Sequence, residues 1–268
     1  MKKISVFWIV ILLIATILAG YFASNRMQVP VTEQETTAPT DAPTDPSTDT
    51  ATESVPEDTE EDIVYEGDAS SYYIDVAYPQ QIARYYTALS EKWDEEKYFD
   101  NGLSALPYHY YEGNPLENVG FDFVDLDNDG RLELIIGAIL NAETDPSVFE
   151  IWTLVDGKPV MLAQGGSGNR YVLQYVEEDR MWYVVNEATS SAYNHATYYL
   201  MLNEGKLEVI QGILFDALAD AENPWFMTYD LDWDTSNDEP IDKATANAIL
   251  ESNRKLYTAR EYFPYIFY

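Results

Sequence analysis

The residues with the clearest chemical potential lie in a ten-residue stretch, DLDNDGRLEL, which runs from Asp125 to Leu134. Three aspartates occupy alternate positions, a glycine follows them, and a glutamate comes three residues after the glycine. Calcium takes about six to eight oxygen ligands, and a short turn that directs alternate carboxylates inward provides them. The sequence therefore predicts a calcium site whose ligands are Asp125, Asp127, Asp129, the main-chain carbonyl of Arg131, and Glu133.

The same stretch also fits a simpler interpretation, a tight turn without metal. Asn128-Asp129-Gly130 stands between the apolar runs FDFV and LELIIGAIL, and such tripeptides close hairpins without any ion. Acidic residues are also abundant, with 47 Asp and Glu in 268 residues, so some alternation arises by chance. Three aspartates, the glycine and Glu133 in register between two strands form a rarer combination, which favours the metal site.

The stretch resembles the D-x-D-x-D-G calcium loop of EF-hands, dockerins and FG-GAP repeats. An EF-hand also needs an exiting helix and a glutamate at the twelfth loop position, but that position is Ile136 and the residues after the loop predict a strand. The strand-loop-strand form of FG-GAP type is therefore closer. The longer segment FDFVDLDNDGRLELIIG is similar to one in uncharacterised secreted or membrane-anchored proteins of Gram-positive bacteria. This resemblance spans about residues 80–260 and implies an upstream helix, then the loop, then a sheet, but no activity.

A second acidic stretch, YDLDWDTSNDEP, carries Asp230, Asp232, Asp234 and Asp238. It lacks a glycine after the third aspartate, so it is either a second cation site or a solvated loop. The glycine-rich GGSGNR, residues 165–170, has no following lysine or helix, which predicts a loop of the sheet rather than a phosphate site.

The remaining candidates for chemistry are weak. His109 and His195 are far apart in the chain and form no zinc-binding pair. Ser190 and Ser191 precede His195, but the G-x-S-x-G motif is absent, so we expect no catalytic residue. The tryptophans of the folded part either stack on sugars or fill the core, and two of them lie in mid-strand, which favours burial: Trp93, Trp152, Trp182, Trp225 and Trp233.

Charge and cysteine content exclude several classes of protein. The net charge is -32, which opposes binding to nucleic acid or to anionic lipid headgroups. Cations are the natural small partners of such a chain. Cysteine is absent, so the fold has no disulfide, no thiolate metal site and no lipid-modified N-terminal cysteine.

The N-terminus predicts a membrane anchor. Lys2 and Lys3 precede an apolar run from Ile4 to Ala23, and a bilayer core of ~30 Å needs about 20 helical residues. Tyr21 occupies the place of the small residue in a cleavage site, which favours an uncleaved signal-anchor over a cleaved signal peptide. Residues 1–26 then form the cytoplasmic tip and the single transmembrane helix, with the rest of the chain outside the cell.

The next segment, residues 27–62, predicts a disordered linker. From Pro30 to Asp62 it holds 11 acidic residues, no Lys or Arg, and few large apolar residues. Such a composition buries too little surface to offset the entropy of ordering, and proline with self-repulsion keeps it extended.

Residues 63–268 predict one extracellular domain of the α+β class. Apolar residues recur at helical spacing from Tyr78 to Phe99, and Asp242 begins a last helix as its N-cap. Between them lie short strand-like runs, and Asp156-Gly157 and Glu204-Gly205 predict tight hairpin turns. The expected order is an N-terminal helix, an antiparallel meander and a C-terminal helix. The expected function is a calcium-stabilised binding or scaffold module at the bacterial cell surface, with a cell-wall, glycan or protein ligand. The alternative is an extracellular hydrolase that uses carboxylates on glycan or peptide.

Overall fold

The computed structural model describes residues 69–140, 145–177 and 179–268. The signal-anchor and the linker predicted for residues 1–62 lie outside these ranges. Within them, no helix is both long enough and apolar enough to cross a membrane.

In these described ranges the helices are few and short. The α-helices are α1 Ala69–Tyr72, α2 Pro79–Ser90, α3 Glu95–Asp100, α4 Pro115–Asn118 and α5 Lys243–Arg254. A π-helical turn, Tyr73–Ala77, follows α1, and 3-10 turns occupy Leu106–Tyr110, Thr235–Asn237 and Tyr265–Phe267.

The single helix expected from Tyr78 to Phe99 is in fact two helices. α2 ends at Ser90, and Lys92 then adopts a left-handed backbone conformation with φ of 51°. A residue in this conformation commonly terminates a helix. Asp94 starts α3 as its N-cap, where its carboxylate accepts a 2.9 Å hydrogen bond from the backbone N–H of Lys97.

Eleven strands form one antiparallel sheet, which confirms the predicted α+β class. Their order across the sheet is β10-β9-β8-β7-β6-β5-β3-β2-β1-β11, with β4 paired to β3 beside this path. The strands are β1 Val119–Val124, β2 Glu133–Ala138, β3 Val148–Val155, β4 Lys158–Gln164, β5 Asn169–Val176, β6 Met181–Ser191, β7 Asn194–Asn203, β8 Lys206–Asp216, β9 Trp225–Thr228, β10 Glu239–Pro240 and β11 Phe263–Pro264.

Two hairpins close as the sequence predicts. Asp156-Gly157 joins β3 to β4 with φ of 50° and 69°, and Glu204-Gly205 joins β7 to β8 with φ of 48° and 75°. Two successive positive φ angles match the right-handed twist of paired strands, and glycine supplies the second one without a steric cost.

The sheet branches at β3, and its two largest cores lie on opposite faces of β2. Val148 at the start of β3 pairs with Tyr171 of β5, whereas the rest of the same edge of β3 pairs with β4. β2 is buried along its whole length: Leu134 and Ile136 pack with the helices α2 and α3, and Ile135 packs with β5 to β8 on the opposite face.

The chain does not end at its last helix. The Asp242 carboxylate caps α5 by accepting from the N–H of Thr245 at 2.8 Å, as the sequence predicts. The residues after α5 return across the sheet, and the N–H of Thr258 donates to the carbonyl of Leu173 at 2.8 Å. β11 then pairs with β1 and forms one edge of the sheet, with Pro264 opposite Gly120.

The close approach of β11 to Gly120 gives a test of this packing. A Cβ at Gly120 would lie 2.7 Å from the carbonyl oxygen of Phe263, a backbone atom that cannot rotate away. We expect Gly120→Ala to lower the free energy of unfolding by about 1–3 kcal/mol, as overpacking does, in urea titrations. Gly166→Ala is the control, because nothing lies within 4 Å of its Cβ position and little loss is expected. Equal stability of the two variants would contradict the docking of β11 on β1.

Candidate metal centre

The acidic loop is the connection of the β1–β2 hairpin, and its base is held from outside the sheet. Val124 and Glu133 are the last paired residues on either side of it. The N–H of Leu132 donates to the hydroxyl of Tyr73 at 3.0 Å, and the carbonyl of Leu132 accepts from the hydroxyl of Tyr78 at 3.0 Å. Two tyrosines of the N-terminal segment therefore fix where the loop enters β2.

Within the loop, carboxylates organise the backbone. Asp125 accepts from the N–H of Asp129 and from the N–H of Gly130, both at 3.1 Å. Asp127 accepts from the same N–H of Asp129 at 3.3 Å. Asn128 and Gly130 have φ of 60° and 87°, which turns the chain sharply enough to bring both ends of the loop together.

Three of the predicted ligands converge. One carboxylate oxygen from each of Asp125, Asp127 and Glu133 lies within 4.8 Å of the other two. Oxygens bound to one calcium ion at ~2.4 Å are separated by at most about 4.8 Å. Across the described ranges, this is the only group of three or more acidic, histidine or cysteine side chains with such a spacing.

The other two predicted ligand residues pair with each other. The guanidinium Nε of Arg131 donates to Asp129 at 2.7 Å, the backbone N–H of Arg131 donates to the same carboxylate at 2.7 Å, and the two form an ion pair. This pairing lowers the pKa of Asp129. Arg131 also donates to the carbonyl of Leu154 at 3.3 Å, so it lies against β3. The Asp129 carboxylate is therefore engaged with an internal cation, outside the group of three.

Glu133 is the buried member of the group. Its side chain is at the base of the loop and the residue is 2% exposed. One carboxylate oxygen accepts from the N–H of Leu126 at 2.9 Å, and the other accepts from the hydroxyl of Thr153 at 2.9 Å. The pKa of Glu133 is raised to about 7, mainly by burial; the charges of Asp127 and Asp129 also raise it, and the two hydrogen bonds lower it.

The pKa of Asp127 is also raised, first by burial and then by the neighbouring charge of Asp129. Carboxylates that raise one another's pKa repel in their charged forms. A cation among them removes this repulsion and favours the ionised state. The electrostatics of the group thus match a site that takes up a cation.

The second acidic stretch is arranged differently. The carboxylates of Asp230, Asp232 and Asp234 accept from the backbone N–H groups of Asp232, Asp234 and Ser236 respectively, at 3.2, 2.8 and 3.0 Å. Each aspartate therefore closes a turn over the next two residues. Asp238 is half-buried, and burial raises its pKa. These side chains form a row of local turns, which agrees with a solvated loop.

The serine and histidine side chains considered as a catalytic pair make other contacts. The ring of His195 stacks on Phe215 with 4.6 Å between centroids and meets Trp225 edge-on, and burial lowers its pKa. The hydroxyl of Ser190 donates to the side-chain oxygen of Asn194 at 3.1 Å. These contacts support a packing role for His195.

The tryptophans separate into different packing clusters instead of one stacking surface. Trp93 and Trp152 are each 9% exposed within the core beneath α2. Trp182 and Trp233 pack against the core that contains Ile135, and Trp225 packs near α5. The interpretation of the five as one sugar-binding face therefore has no support in their placement.

No family model, no curated protein and no solved structure matches this chain. Functional inference therefore depends on the geometry of its own residues.

The raised pKa of Glu133 predicts a pH dependence of stability in the metal-free protein. Because the folded-state pKa is about 7 and the ordinary value is 4.5, the stability contributed by neutral Glu133 is complete below pH 4.5. It is lost as the pH rises through about 7. One pKa unit is worth ~1.4 kcal/mol, so the loss is on the order of 3 kcal/mol.

Glu133→Gln keeps a neutral side chain of the same shape and should not show this loss. With a chelator present, urea titrations from pH 4 to 8 should show the variant gaining stability relative to the wild type as the pH rises. Parallel stability profiles for the two proteins would contradict a buried, titrating Glu133.

Proposed function

We propose that this chain is a membrane-anchored extracellular domain that binds calcium as a structural ion and acts as a non-enzymatic binding or scaffold module at the bacterial cell surface. One observation carries the proposal: three carboxylates converge at the hairpin whose second strand is shared by both cores. An ion at this point stabilises the packing of the whole sheet.

The donor set favours calcium. All three converging ligands are carboxylates, and hard cations such as calcium and magnesium prefer oxygen. Calcium accepts irregular geometries with more ligands, whereas magnesium requires near-ideal octahedral coordination. A hairpin loop that supplies carboxylates from Asp125, Asp127 and Glu133 at unequal depths suits the more tolerant ion.

Burial favours a structural role over a catalytic one. A carboxyl group with a pKa of about 7 suits a general acid, as in glycoside hydrolysis. Such a group has to reach the substrate, and Glu133 is 2% exposed with both oxygens bonded inside the protein. A hydrolase, the alternative function, would need carboxylates elsewhere in the domain.

The sequence of residues 1–62 supports the proposed location of the domain outside the membrane. Two lysines, the apolar run from Ile4 to Ala23 and an acidic linker rich in threonine and proline suit display on a stalk above a membrane. The whole chain has a net charge of -32, which opposes close contact of the domain and its linker with anionic lipid headgroups.

Calcium should raise the melting temperature of the chelator-treated protein. An ion at 100 times its Kd stabilises by about 2.7 kcal/mol, which is ~5–10 °C for a domain of this size. Asp127→Ala should abolish the rise, because Asp127 belongs to the converging group. Asp232→Ala is the matched control and should keep it, since Asp232 lies in the row of local turns.

Asp129→Asn distinguishes two states of the loop. If Asp129 stays paired with Arg131 when calcium binds, this variant keeps most of the thermal rise; if Asp129 turns to the ion, the rise falls markedly. A calcium response that persists in Asp127→Ala would contradict the site.

The absence of cysteine makes the topology directly measurable. In Ser47→Cys, the single thiol lies in the linker and should react with a membrane-impermeant maleimide on intact cells. The unmodified chain is the control and should give no labelling. Recovery of the labelled protein in the culture medium, instead of the membrane fraction, would show that the N-terminal segment is cleaved.

A further inference from the structure

A cleft of about 340 Å³ opens beside the glycine-rich loop between β4 and β5. The 3-10 turn Leu106–Tyr110 and the residues around the start of β3 form its other walls. Its volume falls in the range of about 300–1,000 Å³ that is usual for small-molecule sites. None of its lining residues belongs to the acidic loop, so it is a separate site.

One wall of the cleft is a fixed polar network centred on Arg170. Its guanidinium donates to the hydroxyl of Ser147 at 2.7 Å, to Asp145 at 3.1 Å and to Glu187 at 2.8 Å. Ser147 in turn donates to Asp145 at 2.6 Å. A guanidinium has five N–H donors, so two of those on Arg170 are not used by these bonds. The side chains of Arg170 and Asp145 are 37% and 46% exposed, which leaves them accessible to a ligand.

A second layer of contacts holds Arg170 in place. Glu187 also accepts from Arg254 of α5 at 3.2 Å and from the hydroxyl of Tyr257 at 3.2 Å. The returning C-terminal segment thus supports the residue that orients Arg170. Binding sites whose polar groups are fixed in this way lose little entropy when a ligand arrives.

The charges of this network cancel. Arg170 and Arg254 carry two positive charges, and Asp145 and Glu187 carry two negative ones. A phosphate or carboxylate ligand needs a surplus of positive charge, and an ammonium ligand needs a surplus of negative charge. The polar wall has no surplus of either charge. It offers donors and acceptors side by side, which is the chemistry that a neutral ligand with several hydroxyl groups requires.

An adjoining wall is mostly aromatic and apolar, and the imidazole of His109 also lines it. The ring of Tyr110 packs against buried Phe149 with 5.3 Å between centroids, and Leu106 lies next to them. The hydroxyl of Tyr110 points to Asp145, with 3.4 Å between the oxygens. A sugar ring has an apolar C–H face and a rim of hydroxyls, so it suits a cleft in which an aromatic wall meets a polar one.

We propose that this cleft binds a neutral mono- or disaccharide, with Asp145 and Arg170 exchanging hydrogen bonds with adjacent hydroxyls and Tyr110 flanking the apolar face of the ring. This inference deepens the proposed function, on which it rests for the role of the domain as a binder. It does not depend on the calcium loop.

The test measures binding of the full chain to cellobiose, maltose, N,N′-diacetylchitobiose and mannobiose, by calorimetry and by saturation-transfer NMR. Glucosamine and glucuronate serve as cationic and anionic probes. We expect at least one neutral disaccharide to bind, and both charged sugars to bind more weakly than that disaccharide.

Arg170→Lys keeps the charge but loses the planar guanidinium with its paired N–H donors, and should weaken binding tenfold or more. Arg180→Lys, in the turn between β5 and β6, is the control and should bind as the wild type does.

A second variant tests the cleft without the risk that a loss of binding results from misfolding. Ser167 is exposed at the rim of the cleft and takes no part in the Arg170 network, so Ser167→Trp should obstruct binding with an unchanged melting temperature. Binding that survives Ser167→Trp, or a preference for either charged sugar, would overturn the saccharide assignment.

The results separate this inference from the calcium proposal. If calcium stabilises the protein but no disaccharide binds, the saccharide proposal for the cleft is overturned and the calcium proposal is supported. If a disaccharide binds but calcium does not stabilise the protein, the saccharide proposal is supported and the calcium proposal is overturned. Cleavage of the bound disaccharide into monosaccharides supports the cleft as a saccharide site and replaces the non-enzymatic role with hydrolysis.

Discussion

The buried Glu133 carboxylate links the acidic loop to the sheet at the strand that contributes to both main cores. The residue occupies the first position of β2, and the next three residues fill the two cores on alternate faces. Its oxygens join the loop, through the N–H of Leu126, to β3, through Thr153. A charge on this buried group without a counter-ion therefore acts against the strand that holds the domain together. This coupling makes an ion in the loop relevant to the stability of the whole sheet.

β3 connects the candidate metal centre to the cleft. Thr153 near its end bonds Glu133, whereas Phe149 near its beginning and Ser147 just before it line the cleft. Strand residues advance ~3.3 Å each, so six residues place the two sites about 20 Å apart. The branch at Val148 explains why an opening exists there, because β5 leaves β3 after one pair and β4 takes over the rest of the edge.

Features encoded by neighbouring residues were predictable from the sequence. The hairpin turns at Asp156-Gly157 and Glu204-Gly205 and the N-cap at Asp242 each depend on a few adjacent residues. The strands around the acidic loop follow from their β-branched residues. The convergence of Asp125, Asp127 and Glu133 follows from a spacing within nine positions.

Features that depend on distant contacts were not predictable. The end of α2 is set by Lys92 in a left-handed conformation, which the composition of the segment does not reveal. The return of the chain to β1, and a cleft wall assembled from Asp145, Arg170 and Glu187, need the fold before they can be seen. The glycine-rich stretch was the only local sign of that cleft. The pairing of Asp129 with Arg131 likewise shows that a predicted ligand has a competing partner inside its own loop.

That pairing gives the loop a counter-ion of its own. Arg131 is bound to the chain only two positions from Asp129, so its charge is present at the loop at any ionic composition of the medium. A tethered cation needs no diffusion, and the hairpin can close before a dissolved ion reaches it. Nascent folding of the domain would then depend less on the dissolved cations of its surroundings. The dissolved ion would determine the lifetime of the folded state rather than the chance of reaching it.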